Sequence, residues 1–83
     1  MTMITVAVSD KAKLALKGSA DDIGRELLLA AAVKLFELGR LSSGVAAELA
    51  GIPKPLFVTK LADYGVDTFD LSEEELRQEL TVA

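Results

Sequence analysis

The sequence predicts a small, mainly α-helical domain that contains a helix-turn-helix, has a short N-terminal strand and forms a dimer. Three observations support this prediction. The stretch AAELAGIPKPLFVTKL, residues 46–61, reads as two amphipathic runs joined by a glycine. The stretch from Leu27 to Phe36 is apolar on nearly every side. The first eight residues alternate in a way that is typical of a strand.

The length and composition exclude several classes of protein. A chain of 83 residues forms one domain at most and is marginal as a monomer, so we expect oligomerisation. The chain has no cysteine and no histidine, which excludes disulfides, thiolate chemistry, the usual zinc sites and histidine-based catalysis. We therefore expect no cofactor and no metal.

The sequence shows no signal for export or membrane insertion. Asp10 and Lys11 interrupt the N-terminal apolar run too early for a signal peptide. The longest apolar stretch is about half the length of roughly 20 residues that a membrane span needs. We expect a soluble cytoplasmic protein that makes no contact with a membrane.

Charge divides the chain into two regions. Residues 1–62 carry eight basic and six acidic side chains, for a net charge of +2. Residues 63–83 carry seven acidic side chains and one basic side chain, for a net charge of −6. We therefore expect the C-terminal region to prefer a basic partner. An acidic terminus that only increases solubility is the alternative.

The N-terminal strand needs a partner strand. Ile4, Val6 and Val8 alternate with Thr5 and Ala7, and β-branched residues favour strands. A single strand cannot satisfy its own backbone groups, so it must pair within this chain or with its copy in a second chain. One or two helical turns follow in DKAKLALKG, which ends at a glycine.

The longest helix is expected from Ser19 to Gly39. Ser19 is a plausible N-cap, and acidic residues at positions 21 and 22 suit the first turn. A helix that is apolar on all sides must be covered on more than one face. The remaining short helices can cover one side only, so a second copy of the chain is expected to cover the rest. A helix buried in the core of a monomer is the alternative.

The helix-turn-helix follows. Ser42 or Ser43 caps a helix that ends near Gly51, and a second helix begins at the two prolines and ends at Gly65. On the second helix, three residues point towards the core by helical periodicity. These are Phe57, Leu61 and Tyr64.

The opposite face of the second helix is poorly suited to DNA. It presents Pro55, Thr59 and Asp63, whereas a helix in the major groove favours arginine, lysine, asparagine or glutamine. The shape of the motif favours DNA binding and its charges oppose it. The candidate DNA contacts are Ser43, Lys54, Thr59 and Lys60.

The C-terminal region is expected to be a separate partner-binding segment. Residues 1–65 form the body, and residues 66–83 form an acidic segment with a short helix that begins at Ser72. The candidate partner contacts are Phe69, Leu71, Leu76, Leu80, Glu74 and Glu75.

Several motifs resemble a known family. The matching positions are Glu37, Gly39 to Ser42, Ala46 to Ile52, Gly65-Val66 and the acidic residues from Asp70 onward. They resemble a family of small uncharacterised prokaryotic proteins that are predicted to be helix-turn-helix antitoxins, often encoded beside PIN-like nuclease toxins. The resemblance covers about residues 26–80 and departs at residues 53–55, where relatives usually have a serine and less restrictive residues.

Two functions compete. The resemblance implies an antitoxin-like regulator, a dimer whose body docks on DNA and whose acidic segment binds a toxin. The alternative is a protein-only interaction module that uses the helix-turn-helix for packing, with Pro55 and Leu56 meeting another protein. We do not expect an enzyme or a small-molecule substrate, because Glu73, Glu74 and Glu75 read as a solvated charge run and no phosphate-binding loop is present.

Overall fold

The computed structural model describes residues 1–66, and this part of the chain contains four α-helices. They are α1 (Asp10–Leu16), α2 (Ala20–Glu37), α3 (Ser43–Ala50) and α4 (Lys54–Asp63). The prediction of a mainly helical fold is confirmed. The short helix predicted from Ser72 lies outside the described residues.

Serine residues begin the first three helices. Ser19 Oγ accepts a hydrogen bond from the Asp22 N–H at 3.1 Å, and the Asp22 carboxylate accepts one from the Ser19 N–H at 3.2 Å. This reciprocal pair is a capping box. Ser9 caps α1, and Ser42 rather than Ser43 caps α3 by accepting from the Val45 N–H at 3.2 Å.

Glycines follow the last three helices as predicted. Gly39, Gly51 and Gly65 all have positive φ angles, which glycine adopts without strain. At the end of α3, Gly51 has φ 73° and ψ 27°, and its N–H donates to the carbonyl groups of the preceding turn. The next residue, Ile52, donates its N–H to the Ala47 carbonyl at 3.1 Å. These bonds satisfy the last carbonyls of the helix and turn the chain back towards α2 and α3.

Helix α3 joins α2 and α4 into one core, because both pack against it. The buried cluster is formed by Ala32, Val33, Phe36, Ala46, Ala47, Ala50, Phe57 and Leu61. Small residues on α3 allow close approach, and the aromatic rings of Phe36 and Phe57 meet edge to face with centroids 6.2 Å apart. All of this core lies between residues 32 and 61.

The predicted N-terminal strand is absent from the described part of the isolated chain. Residues 1–9 belong to no helix or strand, and residues 1–8 make no backbone hydrogen bond with another described residue. The prediction is wrong for residues 1–66 of a single chain, because this part offers no second strand to pair with. Pairing between two chains stays a prediction.

Tyr64 corrects a second expectation. Its periodicity with Phe57 and Leu61 predicted a core position, but the residue is 45% exposed. Helix α4 ends at Asp63, and Tyr64 is the C-cap with φ −87° and ψ 1°. The helical phase therefore stops one residue before it. Val66, in contrast, is partly buried against the core.

Candidate nucleic-acid interface

Helices α3 and α4 form a compact pair. Only Gly51, Ile52 and Pro53 separate them. Pro53 occupies the N-cap position of α4, and Pro55 lies in its first turn, where a missing N–H costs nothing. The two prolines, which are unusual inside a helix, are therefore both placed where they fix the start of α4.

The outer face of α4 is open to solvent. Phe57 and Leu61 are fully buried, whereas Leu56, Thr59 and Asp63 are exposed. Pro55 is exposed beside them. The helix therefore presents the face that its periodicity predicts, and this face is available to a macromolecule.

The four candidate DNA contacts occupy different environments. Lys54 is the exposed first residue of α4, and Lys60 is partly buried one and a half turns later. Thr59 is exposed, and its hydroxyl donates to the Pro55 carbonyl at 3.2 Å within the helix. Ser43, on α3, is only 2% exposed. The structure thus brings Lys54, Thr59 and Lys60 onto one helix and places Ser43 in the core.

The charge on this pair of helices is balanced. On the two helices, Lys54 and Lys60 contribute positive charge, and the exposed Glu48 and Asp63 contribute negative charge. Arg40, which precedes α3, adds one further positive charge. Phosphate binding depends on net positive charge, so the local supply for one chain is small. Two chains acting together would double it.

Sequence reasoning missed an apolar patch on α3. Val45 and Leu49 lie four residues apart, on one face of the helix, and both are exposed. The spacing was visible in the sequence. Five of the eight residues of α3 are apolar, however, so this spacing alone did not predict an exposed patch.

The candidate partner contacts lie outside the described residues. They are Phe69, Leu71, Leu76, Leu80, Glu74 and Glu75. Within residues 1–66, no group of three or more acidic, histidine or cysteine side chains is arranged to hold a metal ion. The helices of this same part include none with both the length and the apolar character that a membrane span requires.

These features define a small, mainly helical protein that exposes the outer face of a paired-helix unit. The chain belongs to the uncharacterised protein family UPF0175, whose model matches residues 1–83. It is similar to a UPF0175 protein of Aeropyrum pernix, with 44% identity over 61 residues, which are 74% of this chain and 77% of that relative. No solved structure matches the chain. Membership of an uncharacterised family is thus confirmed, and the antitoxin function stays a prediction.

Proposed function

We propose that the protein is a dimeric, antitoxin-like regulator whose α3–α4 unit is a helix-turn-helix that docks on DNA. The observation that carries this proposal is the α3–α4 pair itself. A three-residue turn, closed by Gly51 in a left-handed conformation, joins two short helices. The second helix buries Phe57 and Leu61 and leaves its other face exposed. In DNA-binding helix-turn-helix proteins, the second helix of such a pair lies in the major groove.

The contacts proposed for DNA are electrostatic and therefore non-specific in the main. Lys54 and Lys60 contact phosphates, and the Thr59 hydroxyl, whose proton is bonded to the Pro55 carbonyl, accepts from an amino group on a base edge. The exposed Asp63 opposes phosphate at the end of α4. We infer that affinity comes from two copies of the unit rather than from one.

The DNA proposal is tested by titrating the full chain into its upstream DNA at several salt concentrations and measuring fluorescence anisotropy. Lys54→Ala and Lys60→Ala should each weaken binding and lower the slope of log affinity against log salt by about 2 per dimer, because each substitution removes one phosphate interaction from each chain. Lys34→Ala is the matched control, because it removes the same charge from an ion pair with Glu37 on α2. Equal losses in all three variants, or no binding at low salt, would exclude DNA docking through α4.

The acidic segment 66–83 is proposed to bind a basic protein partner, such as a PIN-like nuclease toxin. The net charge of −6 over residues 63–83 supports this part. The test is co-purification with the product of the neighbouring gene. The double variant Glu74→Gln with Glu75→Gln should weaken the complex, mainly through a slower association rate at low salt, while Asp10→Asn should not.

One observation favours the protein-only module as a second candidate. Leu56 is 44% exposed on the outer face of α4, next to the exposed Pro55. An apolar side chain at this place suits a protein better than a phosphate backbone. The Leu56→Lys variant separates the two functions, because it should tighten binding to DNA in the first and weaken binding to a protein partner in the second.

A further inference from the structure

The first 14 residues leave their large apolar side chains exposed. Ile4 is 79% exposed and Val6 is 69% exposed, and Val8 and Leu14 are also exposed. Helix α1 has no buried residue. These side chains lie in a part of the chain to which the core of residues 32–61 does not extend.

An open groove of about 930 Å³ lies along this region. One side is formed by the N-terminal segment and the other by the face of α2 that is turned away from the core. The apolar lining comes from Ile4, Val6, Val8, Ile23, Leu27 and Leu28. Gly24 also lines the groove, and a Cβ atom built there would meet nothing within 4 Å.

Three observations indicate what fills the groove. The backbone of residues 1–8 is exposed and has no hydrogen-bonded partner among residues 1–66, so its N–H and C=O groups are available to pair with a second strand. Apolar residues alternate at positions 4, 6 and 8, so one face of that strand is apolar. No residue from 1 to 9 has a charged side chain, although the chain carries a net charge of −4. Two copies of this segment can therefore approach each other without side-chain repulsion.

We propose that residues 3–9 pair antiparallel with the same residues of a second copy, forming a two-stranded ribbon. The Ile4, Val6 and Val8 side chains of the two copies together fill the grooves against both α2 helices. The inference deepens the proposed function, since it names the interface of the dimer on which the regulator rests. It does not depend on binding to DNA.

The alternation also fixes the register of the ribbon. Directly opposed residues point to the same face of the ribbon. If the two-fold axis passes through a residue, positions 4, 6 and 8 of both copies lie on one face; if it passes between two residues, they lie on opposite faces. An axis at Val6 sets Ile4 opposite Val8 of the second copy and Val6 opposite itself. All three apolar positions then meet apolar residues. An axis at Thr5 would instead set Val8 opposite Thr2.

Cysteine cross-linking tests this register, because the natural chain has no cysteine. Thr5 and Ala7 lie on the outer face, and an axis at Val6 sets Thr5 of one copy opposite Ala7 of the other. Opposed positions have Cα atoms about 4.5–5.5 Å apart, within disulfide range. Two copies of Thr5, or two copies of Ala7, lie on a diagonal at about 7–8 Å, which is too far.

The experiment mixes full-length Thr5→Cys and Ala7→Cys proteins in a glutathione buffer and identifies the products by mass spectrometry. We expect the mixed disulfide dimer to form at least about tenfold more than either symmetric dimer. Symmetric dimers of each variant would indicate parallel pairing and overturn the inference. Monomers without cross-links would indicate pairing within the chain and overturn it as well.

A second pair of variants keeps the test independent of cysteine chemistry. Val6→Lys places a charge on the inner face, and Thr5→Lys places the same charge on the outer face. Light scattering should show that Val6→Lys raises the dimer dissociation constant by at least about tenfold, because a buried ammonium group has no partner there. Thr5→Lys should leave it nearly unchanged, and circular dichroism should show the same helical content in both.

The outcomes also separate this inference from the proposed function. If a stable dimer forms but neither the cysteine variants nor the lysine variants behave as expected, the ribbon is excluded and the proposed regulator function is not. A monomer at working concentration overturns both. A ribbon that cross-links as expected in a protein that never binds DNA supports the inference and removes the DNA-docking half of the function.

Discussion

The contact between Phe36 and Phe57 should contribute measurably to the free energy of unfolding, because it packs α4 against α2. The two rings meet at 89° with their centroids 6.2 Å apart, and Phe57 is fully buried. A pair in this geometry contributes about 0.5–1.5 kcal/mol beyond the burial of its area. A domain of this length has a total stability of roughly 4–12 kcal/mol at about 0.05–0.15 kcal/mol per residue. The contribution of the ring pair is thus a measurable fraction of the total free energy of unfolding.

The perturbation is Phe→Leu at each position, singly and together. Phe57→Ala is too severe, because it costs about 3–5 kcal/mol and would unfold much of the population. Each leucine substitution should cost about 1–2 kcal/mol, because it removes the edge-to-face interaction and repacks imperfectly. In a domain of this size, each would lower the Tm by roughly 4–16 °C.

The double variant should be less destabilised than the sum of the single variants by about 1 kcal/mol, because either single substitution already removes the interaction between the rings. The assay is urea unfolding followed by circular dichroism at one fixed protein concentration, since association would otherwise change the apparent stability. The control cycle combines Phe57→Leu with Ile23→Val, because Ile23 is buried but lies outside the core cluster. A coupling below about 0.3 kcal/mol for the two rings would refute the reasoning.

Three further predictions concern the backbone and the caps. Gly51→Ala should lower the free energy of unfolding by about 1–2 kcal/mol, because no atom lies within 4 Å of its Cβ position and only the left-handed conformation opposes it; Gly51→Asn should lose less. Lys17→Gly should raise the free energy of unfolding by roughly 1 kcal/mol, because Lys17 has φ 59° and ψ 158°, a region that only glycine adopts readily. The Asp22 carboxylate accepts hydrogen bonds from the Ser19 N–H and hydroxyl and from Arg25, which lower its pKa below the usual value of 3.8. Because the pKa is lower in the folded state, the ionised carboxylate stabilises the fold above its unfolded pKa, and this stabilisation is lost as pH falls through the folded pKa. The free energy of unfolding should therefore be higher for wild type than for Asp22→Asn at neutral pH, and the difference should vanish in strong acid.

Each of these has a clear contrary result. If Gly51→Ala matched wild type in urea unfolding, the turn would not need its left-handed residue. Destabilisation by Lys17→Gly would show that the backbone between α1 and α2 is not strained. A gap between wild type and Asp22→Asn that persists into strong acid would assign the effect to something other than the ionised carboxylate.

Local chemistry was predictable from the sequence. Ser19 and the glycines at 39, 51 and 65 mark helix ends through hydrogen bonds and backbone angles that neighbouring residues decide alone. The two prolines mark the start of α4 for the same reason. Phe57 and Leu61 were predicted inward by periodicity and are buried.

What failed depends on more distant partners. The strand at residues 1–8 requires a second strand, and alternation in one segment does not reveal where that strand is. Tyr64 continues the spacing of the buried residues of α4, but the helix ends at Asp63 and Gly65 turns the chain away directly after Tyr64. The sequence did not distinguish Ser42 from Ser43 as the N-cap of α3, and the hydrogen bond from the Val45 N–H to Ser42 Oγ identifies Ser42. The α4 contacts to DNA remain predictions, because exposure shows access and not affinity.

Helix α1 has seven residues and buries none of them. A helix this short does not persist in water unless something packs on it. Lys11, Lys13 and Lys17 lie in or next to α1. Because α1 should unfold locally at a low free energy, proteases that cleave after lysine should cut the chain there first. In the proposed dimer the second copy covers the groove that Lys13 lines. Trypsin should therefore cleave the dissociated chain at these lysines faster than the proposed dimer, so the cleavage rate should fall as the protein concentration rises.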